Sequence, residues 1–136
     1  MTEKVMRERV TAARVGRLAT VGAGGSPHLV PFCFALEGDV LYSAVDAKPK
    51  RTRRLRRLQN AAHEPRVSVL IDHYEDDWAR LWWVRLDGRA RELPAGPEAE
   101  RATALLVAKY AQYREQPPAG PVLRIGVERW RGWSAS

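Results

Sequence analysis

The chain has one cysteine, no long apolar run and no pair of closely spaced histidines. A single cysteine, Cys33, rules out an internal disulfide framework and fits a reducing cytosol. Its neighbours Phe32 and Phe34 mark it as a packing residue rather than a reactive nucleophile. No stretch approaches the roughly 20 apolar residues that a membrane span needs. The opening residues, MTEKVMRERV, are charged throughout and hold no apolar core of the signal-peptide kind. The expectation is a cytoplasmic protein. His28, His63 and His73 are scattered, and none of them forms a His-x-x-x-His pair, so no metal site is expected. No glycine-rich fingerprint follows a strand, no strand–helix–strand series appears, and there are no internal repeats.

What is present begins with charge. The 136 residues are 45% hydrophobic, which suits one globular domain spanning residues 1–136. The net charge is +7, from 23 basic and 16 acidic residues. Seven of the basic residues lie in one ten-residue stretch, KPKRTRRLRR (48–57). Outside it, basic and acidic residues balance at 16 each. A strongly basic chain invites a nucleic-acid reading. One basic hot spot on a neutral body fits a smaller polyanion at least as well.

Apolar spacing predicts a helix over 3–14, capped by Thr2 and stopped by Gly16. RLATVG (17–22) reads as a strand, AGGS (23–26) as a turn, and PHLVPFCFAL (27–36) as a second strand, apolar on both faces and hence covered on both. Pro31 cannot donate to a sheet ladder, so it belongs at an edge or bulge. VLYSAV (40–45) is a third strand. A short helix is predicted over 52–62 with an apolar stripe of Leu55, Leu58 and Ala62. RVSVLID (66–72) is a strand and HYEDDWAR (73–80) an acidic loop. Residues 81–88 and 89–93 read as two strands joined at Asp87-Gly88, a dipeptide favoured in hairpins. A helix over 97–113 and a strand over 122–130 complete the chain. Short antiparallel strands with a few outer helices argue for a barrel or sandwich.

The basic stretch poses an electrostatic problem. A helix N-terminus carries partial positive charge, so cations there cost on the order of 0.3–1 kcal/mol each. An anion at that end resolves the conflict, held by free backbone N–H groups, the Thr52 hydroxyl and the flanking cations. Lys48, Lys50, Arg51 and Arg54 are the candidates. Arg53, Arg56 and Arg57 turn away from the leucine stripe and read as a solvated face.

These pieces together resemble the split β-barrel flavin-binding family of the pyridoxamine 5′-phosphate oxidase type. Within it the likeness is to probable deazaflavin (coenzyme F-420) dependent reductases of actinobacteria. It is carried by GRLATVGAGGSPHLVPFCFAL, GDVLYSAVDAKPKRTRRLRRLQN, EPRVSVLIDHYEDDWARLWWVRLDGRARE and VLRIGVERWRGW, in that order, over residues 5–133. The resemblance implies a mainly β fold, a six-stranded antiparallel split barrel working as a homodimer with cofactor in a groove between subunits. It places Pro31 and Phe32 beside the cofactor ring, and Ser43, Lys48, Lys50, Arg51 and Arg54 near its phosphate. Trp82, adjacent to Trp83 and so on the opposite strand face, is a further candidate, against the cofactor of the other subunit. The basic run is longer than the family's usual one or two cations, which suits coenzyme F-420, with its oligoglutamate tail, better than flavin mononucleotide (FMN). The implied activity is hydride transfer to a small organic acceptor, with no catalytic acid or base assigned, because the cofactor carries the chemistry. A non-catalytic carrier of flavin or deazaflavin is the alternative. Nucleic-acid binding through the arginine helix ranks below both, and no membrane partner is expected. Asp72, Glu75, Asp76 and Asp77 read as a solvated loop, or else as partners of the arginine helix across a dimer.

Overall fold

The computed structural model describes residues 1–44 and 56–136. It contains helix α1 (Glu3–Ala12), strands β1 (Gly16–Val21), β2 (Pro27–Phe32), β3 (Ala35–Glu37) and β4 (Val40–Ala44), and helix α2 (Arg56–His63). Strands β5 (Arg66–His73) and β6 (Trp82–Leu93), helices α3 (Pro97–Lys109) and α4 (Ala111–Glu115), and strand β7 (Val122–Ser134) follow. One antiparallel sheet runs in the order β2-β1-β5-β6-β7-β4-β3. Its two edge strands, β2 and β3, are joined by only Cys33 and Phe34, so the sheet must curl until its ends meet. The result is a barrel split at that junction, and the fold class expected from sequence is the one observed. The resemblance implies six strands and the residues read as seven; seven are present, because the segments 81–88 and 89–93 form one strand while the 27–36 strand breaks at Cys33–Phe34.

The barrel interior collects the inward residue of each strand pair. Leu18, Phe34, Leu41, Ile71, Val84, Leu86, Leu123 and Ile125 are all buried. Helix α2 seals one side with Leu58 and Ala61. Ala62 is exposed, so the apolar stripe lies one residue earlier than the sequence suggested. Leu55 and the expected first turn of that helix lie outside the described residues. Helix α3 packs Ala102 against Tyr42, Leu93 and Val122, and Leu106 against Ala35 and Ala44.

Local signals explain most boundaries. Thr2 caps α1, its hydroxyl accepting from the Val5 N–H at 3.2 Å. The helix ends at Ala13 in extended backbone, before Gly16. Gly16 is instead a strand residue whose added Cβ would lie 2.9 Å from the Phe32 ring. Asp87-Gly88 makes no hairpin. Strand β6 runs straight through it, and the register against β7 shifts there by a bulge. At Gly88 a Cβ would stand 2.0 Å from the Gly126 carbonyl oxygen, so glycine is required by close backbone approach rather than by a turn. The helix expected over 97–113 breaks at Tyr110, whose backbone is extended, into α3 and α4.

One expectation about the sheet is overturned. Only the inner face of β2 is covered within the chain, because Leu29 on the other face is 68% exposed. Strand pairing sets Leu29 and Val21 on the same outer surface as Leu70, Trp83 and Trp133. Arg17, Arg85 and Arg131 lie among them.

Candidate functional site

The split between β2 and β3 is held by the end of α3. The Tyr110 hydroxyl accepts from the Phe34 N–H at 3.1 Å and lies within donating distance of the Phe34 and Arg14 carbonyls. The neighbouring Lys109 ammonium donates to the same Phe34 carbonyl at 2.9 Å. It sits 4.0 Å from the centre of the Phe34 ring and 5.2 Å from that of Tyr110. Arg14, from the link between α1 and β1, donates to the Lys109 carbonyl and lies 4.9 Å over the Tyr110 ring. Tyr113 meets Tyr110 edge-on at 5.6 Å. On the other side Arg57 of α2 is half-buried, within electrostatic reach of Cys33 and Tyr113. Arg57 is therefore only partly solvated, unlike the exposed Arg56.

Burial governs the ionisation of this cluster. It pulls the Lys109 ammonium down to about 8, with Arg14 adding repulsion. It also pulls Arg57 down and pushes the Tyr110 phenol up to about 12. Among the described residues no carboxylate pairs with Lys109, Arg57 or Arg14. Most other arginines near acids are neutralised locally, as in Arg7–Asp39, Arg17–Asp72, Arg66–Glu64, Arg101–Glu37 and Arg124–Glu98.

The sequence-derived candidates are spread over the sheet: Ser43 aligns through Leu123 with Glu92 near the end of β6, whereas Trp82 begins that strand. Pro31 is exposed on edge strand β2, paired with Arg17. An edge strand leaves half its backbone N–H and C=O groups without a strand partner. Phe32 is buried, its ring 5.5 Å from that of Phe34 in the core, so it can meet an outside ligand only through its backbone. Ser43 is buried one residue before the end of β4, where the chain leaves for the basic stretch. Lys48, Lys50, Arg51 and Arg54 lie outside the described residues. Trp82 stacks on His73 with ring centres 6.4 Å apart, and the Arg9 guanidinium lies 4.7 Å over it. Two adjoining surface grooves share Arg9, His73 and Trp82. One continues past Arg14 to Arg17, the strand partner of Pro31. Pro31 itself lines neither groove, and the register sets it on the sheet face opposite Trp82.

Other residues resolve into local roles. Asp72 pairs with Arg17, Glu75 with His73 and Arg80, and Asp77 accepts from the Ala79 N–H. His28 points inward, but its Nδ1 is buried with no hydrogen-bond partner among the described residues. Sequence reasoning missed Lys109, Tyr110 and the partial burial of Arg57. The break at Tyr110 had no glycine or proline to announce it, and a lysine near a helix C-terminus reads as ordinary capping.

The matching family model is that of pyridoxamine 5′-phosphate oxidase, and it covers residues 2–134. The chain belongs to this family. A 5a,11a-dehydrotetracycline/5a,11a-dehydrooxytetracycline reductase of Streptomyces rimosus is 33% identical over 87 residues, which is 63% of this chain and 60% of that protein. The match thus spans less than two thirds of the relative's length. Among solved structures, a conserved hypothetical protein of Mycobacterium tuberculosis superposes with a TM-score of 0.81 at 24% identity, covering 99% of this chain and 86% of that one. An FAD-binding protein of Mesorhizobium loti gives 0.76 at 25% identity, covering 97% and 94%.

Proposed function

We propose that the protein is an oxidoreductase that binds reduced coenzyme F-420, or alternatively FMN, and passes a hydride to a small organic acceptor. The observation that carries this reading is the groove from Trp82 past Arg9 and Arg14 to Arg17, the strand partner of Pro31, on a fold whose relatives include a reductase. The residues present fit such a group. The free backbone of β2 can hydrogen-bond a planar ring, and Trp82 offers an aromatic wall. Ser43 stands where the basic stretch begins, and Lys48, Lys50, Arg51 and Arg54 supply charge for a phosphodiester and its acidic tail. When bound, the cofactor supplies the hydride, and the chain orients it and excludes water.

The outer face, where Leu29, Val21, Leu70 and Trp133 are exposed beside half-buried Trp83 and three arginines, supports a homodimer, since exposed apolar residues grouped in this way mark an interaction surface. Such a dimer would give the cofactor groove a second wall. An assay with reduced F-420 and reduced FMN against a panel of unsaturated organic acceptors tests the proposal. Acceptor-dependent oxidation of one cofactor above the protein-free rate is expected. Tight binding with no turnover on any acceptor would make the protein a carrier instead, and binding of neither cofactor would remove the proposal.

A further inference from the structure

Trp82 faces inward from the first position of β6, and the inward residues that follow it, Val84 and Leu86, are fully buried. Trp82 itself stands half-exposed where the strand begins. Its strand partner His73 lies nearly parallel to it, the two ring planes 18° apart. The Arg9 guanidinium, from the last turn of α1, covers the indole at 4.7 Å. With Leu81 and Arg80 these groups line a groove of about 400 Å³, a size typical of small-molecule clefts. No acidic side chain is among those that line it. Glu75, outside the lining, takes both His73 and Arg80, the latter at 3.6 Å. One acid therefore answers two guanidinium groups, and Arg9 has no acidic partner among the described residues. The groove lies at the opposite end of β6 from Leu93, which aligns through Val122 with Ala44, the last described residue before the basic stretch.

A planar ring can add to the His73–Trp82 wall by offset stacking. A guanidinium fork matches the two oxygens of a carboxylate. We propose that this groove seats a planar organic anion, an aromatic carboxylic acid, with its ring against Trp82 and His73 and its carboxylate between Arg9 and Arg80. The assignment rests on the reading of the protein as a reductase of small acceptors, and it gives that acceptor a chemical class. The carboxylate is the handle by which the acceptor is held and is not the group reduced. The adjoining groove shares Arg9, His73 and Trp82 and runs past Arg14 to Arg17. It is the groove that the cofactor reading uses, so acceptor and cofactor meet at the wall the two grooves share.

The test uses 2-naphthoate and its neutral near-isostere 2-naphthamide as probes on the full chain. Calorimetric titration should show 2-naphthoate binding at least tenfold tighter than 2-naphthamide. That preference should fall at least threefold in Arg9→Gln and in Arg80→Gln, and survive in Lys4→Gln. Arg80 is exposed on its turn, so its variants guard against loss through misfolding, and Arg80→Lys should keep the preference. In NMR spectra 2-naphthoate should move the Trp82 indole N–H and the His73 ring signals and leave the Trp130 indole N–H in place. Equal binding of the two probes, a preference unchanged in both Arg9→Gln and Arg80→Gln, or shifts that spare Trp82 and His73 would overturn the proposal. Cofactor titration in parallel separates the two readings. Binding of F-420 or FMN that persists while 2-naphthoate fails sinks only the acceptor seat. Binding of 2-naphthoate in this groove with neither cofactor bound sinks the reductase reading and leaves the anion site.

Discussion

Lys109 illustrates how a single buried amine reports on its surroundings. Its midpoint falls from 10.5 to about 8, chiefly through burial. Between those values the unfolded chain binds the proton more readily than the folded one, so stability must rise as pH increases from about 8 to 10.5. Denaturant midpoints at pH 7.5 and 10 should show that rise in the wild-type protein and lose most of it in Lys109→Met. A flat profile in the wild type would mean the ammonium is solvated. Arg7 acts at the same scale. It donates to the Gly38 carbonyl at 2.8 Å, pairs with Asp39 and lies 4.5 Å over the Trp130 ring, tying α1 to the turn between β3 and β4. Arg7→Ala should cost about 1–2 kcal/mol, read from urea unfolding.

The elements are held in register by close approaches that no side chain can survive. Gly88→Ala drives a methyl into the Gly126 carbonyl and should cost on the order of 3 kcal/mol. Gly126→Ala is the control, because its Cβ would meet the tip of the Arg124 side chain at 3.1 Å, which can move aside. Comparable losses in the two variants would contradict the bulge as the reason for Gly88. This pair also shows what was legible in the sequence. Strands whose apolar residues alternate, such as 17–22 and 66–72, were placed correctly, because one buried face fixes the pattern. Asp87-Gly88 misled, since the same dipeptide serves a turn or a bulge and only the partner strand decides. The break at Tyr110 was illegible because it is caused by a tertiary bond, the hydroxyl reaching the Phe34 backbone, and not by local propensity. Arg57 was misread because the helical stripe was anchored on Leu55 and Ala62, whereas the buried side is built from Leu58, Asn60 and Ala61.

At the scale of the whole molecule, the open question of the sequence, why so many cations sit in one stretch, meets the outer face of the sheet. Leu29, 68% exposed, lies at the edge of an apolar surface that the chain itself leaves uncovered. If that surface joins two copies, Leu29→Glu should convert a dimer into a monomer in sedimentation and weaken cofactor binding at least tenfold. Dimer retention in that variant would move the interface elsewhere. Family likeness points to Ser43 and Pro31 and the Trp82-Trp83 pair to Trp82, but the strand register sets Ser43 and Trp82 at opposite ends of β6. Lys48, Lys50, Arg51 and Arg54 rest on charge and on the family resemblance, since they lie outside the described residues. The most direct test of their role is a fluorescence-quenching titration with FMN and coenzyme F-420 in parallel, on the wild type and on Lys50→Ala and Arg51→Ala. The account predicts tighter binding of F-420, weakened about tenfold by each substitution. Affinity unchanged in both variants would contradict it.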